Sequence, residues 1–186
     1  KQGGTVYLSA ADADGMMISF IQSNYAGFGS GVVVPGTGIS LQNRGAGFSL
    51  EKGHPNEVAG GKRPFHTIIP GFLMKDGQPL MSFGVMGGPI QAQGHVQMVL
   101  RTQLWGQDPQ TAVDAPRWRI VEGLDVAVEA AAGDGVIAQL EAMGHRISRE
   151  MPDTSYGFGG AQLVHRVEGG YVAGSDPRKD GQAVGF

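Results

Sequence analysis

Apolar and polar residues alternate from Thr5 to Ala11, and again from Met16 to Gln22, in runs rich in β-formers. A period of two marks strands with one covered face. Asp12-Ala-Asp-Gly15 between them is a turn signal, so the pair is expected to form a β-hairpin. A glycine-rich loop, SNYAGFGSG at 23–31, comes next, followed by a valine run at Val32–Val34. GTGISLQNRGAGF at 36–48 predicts a short strand and a second glycine loop. SLEKGHPNEVAGGKRP at 49–64 is polar and rich in Gly and Pro, and reads as a surface loop or lid.

A second hairpin is expected from His66–Lys75 and Pro79–Met86, turning at Lys75-Asp76-Gly77-Gln78. Gly87-Gly88-Pro89 then leads into a helix marked by Val96, Val99, Leu100 and Leu104, with Pro89 near its first turn. Asp108-Pro109 opens a short helix that ends before Pro116. Leu124, Val126, Val128 and Ala130 alternate as a strand, and Val136, Leu140 and Met143 mark a helix stopped by Gly144. Strands are expected at His145–Arg149, Gln162–Val167 and Tyr171–Ala173, the last two around Glu168-Gly-Gly170. The order is strands, then helices, then strands, which is an α+β layered domain. Trp105, Trp118 and the Val96–Leu104 stripe are assigned to the core. Arg117 and Arg178 are expected to pair with carboxylates, with Asp176 and Arg178 in a structural turn.

Composition narrows the function classes. A chain of 186 residues, 41% hydrophobic, can bury one real core. Its apolar runs are too short for a membrane-spanning helix. The net charge of −3, without a basic stripe, argues against nucleic acid as a partner. There is no cysteine, hence no disulfide, thiolate nucleophile or thiolate metal site, and the compartment (bacterial cytoplasm or periplasm) stays open. Glycine is abundant, at 32 residues, but clustered rather than periodic, as expected where turns are tight or backbone approaches a ligand.

Most catalytic signatures are missing. GFGSG at 27–31 is not followed by Lys-Ser/Thr, so it is no P-loop. His54, His66, His95, His145 and His165 lack metal-ligand spacing, and no metal or other cofactor is expected. There is no GxSxG elbow. Met86-Gly87-Gly88-Pro89, between a strand and a helix, could aim backbone N–H groups at an oxyanion beside the positive end of a helix. The same pattern fits a plain strand–helix turn, which is the commoner case. Thr5 would need a base, and one local base is its own α-amine, available once it is the first residue of a mature chain.

Five segments together carry a resemblance. GTVYLSAADADGMMISFIQSNYAGFGSG, GTGISLQNRGAGF, GKRPFHTIIP, GVMGGP and GSDPRKDG, in this order, resemble the small, C-terminal subunit of γ-glutamyltranspeptidases along essentially the whole chain. The resemblance implies an N-terminal nucleophile (Ntn) hydrolase with an αββα sandwich, of which this chain would be the small-subunit portion. It implies a precursor cut autocatalytically at Gly4–Thr5, so that residues 1–4 are residual precursor and 5–186 form a single catalytic portion. It implies a large subunit of the same precursor as partner, and a role in glutathione metabolism. Thr5, seven residues before Asp12, takes the nucleophile's place. Ser23 falls on a supporting hydroxyl, and Gly87 and Gly88 fall on the oxyanion-hole glycines.

The departures concern substrate. Where family members hold the substrate's α-amino group with asparagine, glutamine and aspartate, this sequence has Tyr25, Arg44 and Gly47. The paired serines that help hold the α-carboxylate are replaced by His66 and Thr67. An acid has been lost and a guanidinium gained, which favours a substrate with fewer positive and more negative groups. SNYxGFGSG and LQNRGAGF resemble the branch that includes cephalosporin (glutaryl) acylases. The expected reaction is hydrolysis or transfer of γ-glutamyl or related dicarboxylic acyl amides, with Tyr25, Arg44, His66 and Thr67 lining the acyl pocket. The alternatives are a glutaryl acylase, an inactive unprocessed fragment acting as a binding or structural unit, and a carboxylate-binding module using Arg44. Alone, such a chain is expected to show exposed edges and to self-associate.

Overall fold

The computed structural model describes residues 3–151 and 157–186. By its contacts the chain divides into two compact units, Lys1–Val6 with Ile21–Ile68, and Tyr7–Phe20 with Ile69–Phe186. The first hairpin, β1 (Gly3–Ala11) and β2 (Met17–Ala26), contributes residues to both.

In the larger unit, β3 (Gly71–Lys75) and β4 (Gln78–Met86) form the expected second hairpin. Asp76 and Gly77, at φ of 50° and 76°, make the doubly left-handed turn that matches strand twist. The strand starts at Gly71 rather than His66, because Pro70 cannot donate to a ladder. With β8 (Gly160–Val167) and β9 (Gly170–Ser175) they build an antiparallel sheet of order β3-β4-β8-β9. Helix α1 (Ile90–Val99) packs on β4, and α2 (Pro109–Asp114) packs on β8 and β9. Met81, Phe83, Val85, Ala161 and Leu163 of the sheet meet Met98 and Val113 of the helices in the main core. Tyr7 of the hairpin is also buried against β4, where a Cβ on Gly84 would overlap its ring. Its hydroxyl bonds to Ser9 and Ser19 Oγ at 2.7 Å each, and burial raises its pKa.

A second sheet, order β5-β6-β7, is formed by β5 (Trp118–Glu122), β6 (Asp125–Glu129) and β7 (Arg146–Glu150). β6 and β7 run parallel, joined through α3 (Asp134–Ala142), and Val126, Val128 and Ile137 form its small core. β5 was not predicted, because Arg119 and Glu122 interrupt its apolar pattern. Trp118 packs on this core, as expected.

Of the predicted stripe, Val99 packs on the main core, but other positions do not. Val96, Leu104 and Trp105 are 52%, 69% and 58% exposed. Helix α1 instead buries Gly94, His95 and Met98, because the small Gly94 lets the helix approach Val85 of β4. A π-helical turn at Leu100–Leu104 then changes the phase of the stripe, since each such turn holds an extra residue.

The smaller unit has little regular structure among its described residues. The short strand expected within 36–48 is reduced to one bridge, Val33 with Ser40, and the 49–64 loop holds a single bridge, Ser49 with Glu57. Side chains and loop bonds do the work of a sheet here. Ser30 Oγ donates to Leu41 O at 2.9 Å, and Leu41 N–H donates to Val32 O at 2.9 Å. Among the described residues no helix is long and apolar enough to cross a membrane.

Candidate functional site

The smaller unit holds a polar cluster on one face of the hairpin. β2 runs on to Ala26, past the predicted end at Gln22, which places Ser23 and Tyr25 on a strand rather than in a loop. Ser23 lies across from Thr5, with Ser23 Oγ 2.8 Å from Thr5 Oγ1. Gly4, one residue earlier, lies tight: a Cβ there would sit 3.1 Å from Gly27 O.

Ser23 Oγ has two further partners, and they fix the direction of its proton. Tyr25 N–H donates to it at 3.0 Å, and Arg44 Nη2 donates to it at 2.7 Å. A hydroxyl oxygen has two lone pairs and one hydrogen. Both lone pairs are taken, so the Ser23 O–H donates to Thr5 Oγ1. Thr5 Oγ1 therefore accepts from Ser23, and its own proton is left for a base. The chain Arg44 to Ser23 to Thr5 begins at a cation, which polarises each bond along it and favours negative charge on Thr5 Oγ1.

Two features hold Arg44 in place. Its guanidinium lies over the Tyr25 ring, 5.4 Å from the centroid, and Tyr25 adopts a left-handed φ of 74°, unusual for a residue with a side chain. Asn43, which sequence reading passed over, anchors the segment: its Oδ1 accepts from Ala26 N–H at 3.0 Å and its Nδ2 donates to Ala26 O and Gly29 O at 3.3 and 3.1 Å. The only sequence signal for it is its place before Arg44 in LQNRG. Arg44 then sits on a single 3-10 turn, Arg44–Gly47. Burial lowers its pKa, but a guanidinium remains charged. Among the described residues no carboxylate pairs with it.

Gly47, where the resemblance would put an acid, is closely approached by backbone. A Cβ there would lie 2.7 Å from the Phe65 carbonyl oxygen, a contact with backbone that cannot simply swing aside. His66 is exposed, and its Nδ1 accepts from Ile68 N–H at 3.1 Å. Thr67 is half-buried. Among the described residues no hydrogen bond joins His66 or Thr67 to Thr5, Ser23 or Arg44. Of the predicted pocket, the structure thus brings Tyr25 and Arg44 together with Thr5 and Ser23.

In the larger unit, Gly87 and Gly88 form the turn between β4 and α1. Both have positive φ, 141° and 69°, which a side chain would strain. Gln91 N–H donates to Gly88 O at 3.0 Å, and no loop bond among the described residues uses the N–H of Gly87 or Gly88. Those two donors lie at the start of a helix, where an anion is favoured. The same unit buries four charges together. Arg117 pairs with Asp176, and Arg178 pairs with Asp176 and, through two nitrogens, with Glu129. Burial would raise the pKa of Asp176, but Arg117 and Arg178 outweigh it and hold the carboxyl below its usual range. Among the described residues no group of His, Asp or Glu could hold a metal.

The chain resembles known proteins along nearly its whole length. The family profile Gamma-glutamyltranspeptidase matches residues 1–186. A glutathione hydrolase-like YwrD proenzyme of Bacillus subtilis (strain 168) is 40% identical over 190 residues, covering 98% of this chain and 36% of that protein. An oxamate amidohydrolase proenzyme of Klebsiella pneumoniae is 37% identical over 190 residues, covering 99% of this chain and 36% of that protein. This chain therefore spans about a third of the length of these curated relatives. Among solved structures, a cephalosporin acylase from Bacillus halodurans superposes with a TM-score of 0.86 at 52% identity, over 95% of this chain and 33% of that one. A gamma-glutamyltranspeptidase chain from Pseudomonas nitroreducens gives a TM-score of 0.80 at 24% identity, over 97% of this chain and 98% of that one, a likeness of fold. The same mixed α+β fold thus occurs as part of a longer chain and as a chain of its own. The protein belongs to the gamma-glutamyltranspeptidase family of N-terminal nucleophile hydrolases.

Proposed function

We propose that Thr5 is the nucleophile of an amide hydrolase made as a precursor and cut at Gly4–Thr5. Thr5 Oγ1 attacks the Gly4 carbonyl carbon. The Gly4 C–N bond breaks, the nitrogen keeps its electron pair and gains a proton, and Gly4 is left as an ester on Thr5. Water then hydrolyses the ester, its oxygen staying on Gly4 and a proton returning to Thr5 Oγ1. The freed α-amine is the base for the next acyl group. An amide substrate follows the same two steps, with its amine leaving first. The family resemblance gives Gly87 and Gly88 the role of donors to the oxyanion.

The observation that carries this reading is the 2.8 Å contact of Ser23 Oγ with Thr5 Oγ1, with Tyr25 N–H and Arg44 Nη2 donating to the same serine oxygen. A serine that donates to Thr5 Oγ1 stabilises the oxygen as it loses its own hydrogen. Arg44 supports a substrate whose acyl group bears a carboxylate, and Gly47 removes the acid that would pair with an ammonium. We assign the exposed apolar face of the hairpin, with Leu8, Ile18 and Phe20, to contact with the remainder of a longer protein.

Intact mass and N-terminal sequencing of the full-length protein after incubation, beside Thr5→Ala, test the proposal. A new terminus at Thr5, absent from the variant, with amide hydrolysis lost by at least about 1,000-fold in that variant, is the expected result. Cleavage in both, or in neither, removes Thr5 from the role.

A further inference from the structure

We infer that Asn56 is a positioning residue for substrate binding: it clamps the Arg44 turn to the segment that leads into His66 and Thr67, and so fixes the spacing between them. The inference rests on the proposal that Arg44 receives a carboxylate on the acyl group, and it adds a residue to that same site.

The side chains of His66 and Thr67 make no hydrogen bond to Arg44 among the described residues, but the backbones that carry them are joined. Asn56 Nδ2 donates to the carbonyl of Gly47, the last residue of the Arg44–Gly47 turn. Asn56 Oδ1 accepts from Phe65 N–H at 2.9 Å, one residue before His66. One side-chain amide thus bridges two chain segments. The segments are already close, since a Cβ on Gly47 would lie 2.7 Å from the Phe65 carbonyl oxygen. Asn43 holds the front of the same turn through Ala26 and Gly29. Two asparagines therefore pin the Arg44 turn, one at each end. The bridge demands an amide, because a carbonyl needs an N–H donor, an N–H needs an acceptor, and a carboxamide offers both. An aspartate of the same size would keep the bond from Phe65 and set an oxygen against the Gly47 carbonyl.

The 49–64 loop holds Asn56 still. Asn56 N–H donates to His54 Nδ1 at 2.9 Å, and its carbonyl accepts from Ser49 N–H at 2.9 Å. Lys62 Nζ donates to the carbonyls on either side of it, Pro55 O at 2.6 Å and Glu57 O at 3.1 Å. The Glu57 carboxylate in turn accepts from Gly53 N–H at 2.8 Å. Asn56 is half-buried, whereas residues 50–55 before it are exposed. A binding group keeps its place to within about half an ångström only when the residues behind it are themselves locked by hydrogen bonds. Asn56 and Lys62 supply that backing for Arg44 and for the 65–67 segment. A looser clamp would let the two sides part, and a carboxylate on Arg44 would lose contact with the opposite wall.

The test compares the full-length protein with Asn56→Asp, Gly47→Ala and Lys62→Met. The first turns one bond of the bridge into a repulsion. The second pushes Phe65 away while Asn56 stays, and the third removes the brace. Calorimetry reads the binding of oxalate, malonate, succinate and glutarate, and initial rates on the monoamide of the best-bound acid give KM and kcat. Binding is expected to weaken about ten-fold or more in Asn56→Asp and Gly47→Ala and less in Lys62→Met, with KM rising more than kcat falls. A merely structural asparagine would lower the unfolding temperature and leave Kd and KM in place. Kd and KM within about two-fold of native in a folded Asn56→Asp or Gly47→Ala protein therefore overturn the inference, whatever the unfolding temperature. So does a native protein that binds none of the four acids. Should Asn56→Asp fail to fold, Gly47→Ala and Lys62→Met decide. Cleavage at Thr5 with binding unaltered in the variants would keep the proposed reaction and sink the clamp. Weakened binding in the variants without cleavage at Thr5 would do the reverse.

Discussion

Arg117 and Arg178 are sunk among carboxylates, whereas Arg44 faces a serine, a tyrosine ring and no carboxylate among the described residues. Asp176 receives both buried guanidinium groups, along with the N–H groups of Ala161 and Arg178 at 2.7 and 2.9 Å. Glu129 takes Arg178 and the backbone N–H of Arg117 at 2.7 Å. Two positive and two negative charges cancel inside the larger unit; their pairs tie β6 to the segment after β9, and both guanidinium groups also donate to the Val113 carbonyl of α2. Their attraction is spent on the fold. Arg44 carries the same chemistry without a counter-charge among the described residues, so its attraction is available to a ligand or to the hydroxyls beside it. One side chain type serves stability in one place and chemistry in the other, and the placement of acids makes the difference.

The sharpest way to break this comparison is to remove one member of the buried set. Asp176→Ala leaves Arg117 without its charge partner, and is expected to cost about 3–5 kcal/mol, far more than an exposed pair would. Thermal unfolding would show it as a drop on the order of 10 °C, at about 2–4 °C per kcal/mol for a chain of this size. A drop of only a degree or two would mean the four charges are not the structural device described here.

Arg44→Lys is expected to behave in the opposite way. Unfolding should stay within about 2 °C of native, because a half-buried, unpaired arginine supplies little stability. The kcat/KM for carboxylate-bearing amides should fall about 10- to 100-fold, since a lysine cannot bond Ser23 and present a planar fork together. Equal losses in stability at Arg44 and Asp176 would erase the distinction.

Ser23→Ala sharpens the Arg44 side. It removes the donor to Thr5 Oγ1 but leaves a carboxylate free to bind Arg44. Initial rates should show kcat lower by roughly ten-fold or more, with KM little changed. A change confined to KM would place Ser23 in substrate binding instead.

Acid should have the smallest effect. Burial lowers the pKa of His95, against the opposing influence of its bonds to the Gln91 and Ile69 carbonyls, and burial lowers that of His165. An unfolded histidine titrates near 6.5, so on acidification the unfolded chain takes up protons first. Stability is complete above that value and is lost as pH falls from about 6.5 towards the depressed native values. Asp176 stays ionised across this range, because Arg117 and Arg178 outweigh its burial and hold its carboxyl below the usual carboxylate range. The unfolding temperature should therefore fall modestly between pH 7 and pH 5, and fall less in His95→Gln. A slope unchanged in that variant would assign the loss to other groups.

Much of this was written in the sequence. Strands β1, β4, β8 and β9 and the turns at Gly15 and Asp76-Gly77 follow from local alternation and from glycine's freedom at positive φ, both properties of neighbouring residues. Thr5, Ser23, Gly87 and Gly88 were named from motifs whose order is linear. Tertiary structure alone decided which apolar residues are buried: Gly94 and Met98 face the sheet while Val96, Leu104 and Trp105 do not, because helix approach depends on the partner strand and on a π turn that periodicity cannot announce. It also decided the fate of the arginines. Arg44 could be read as a carboxylate ligand from its position in a motif, but its bond to Ser23, and hence the direction of the proton towards Thr5, needs atoms 18 and 21 residues apart to meet. A hydrogen bond depends on distance and angle in space, and sequence order specifies neither beyond the local turn.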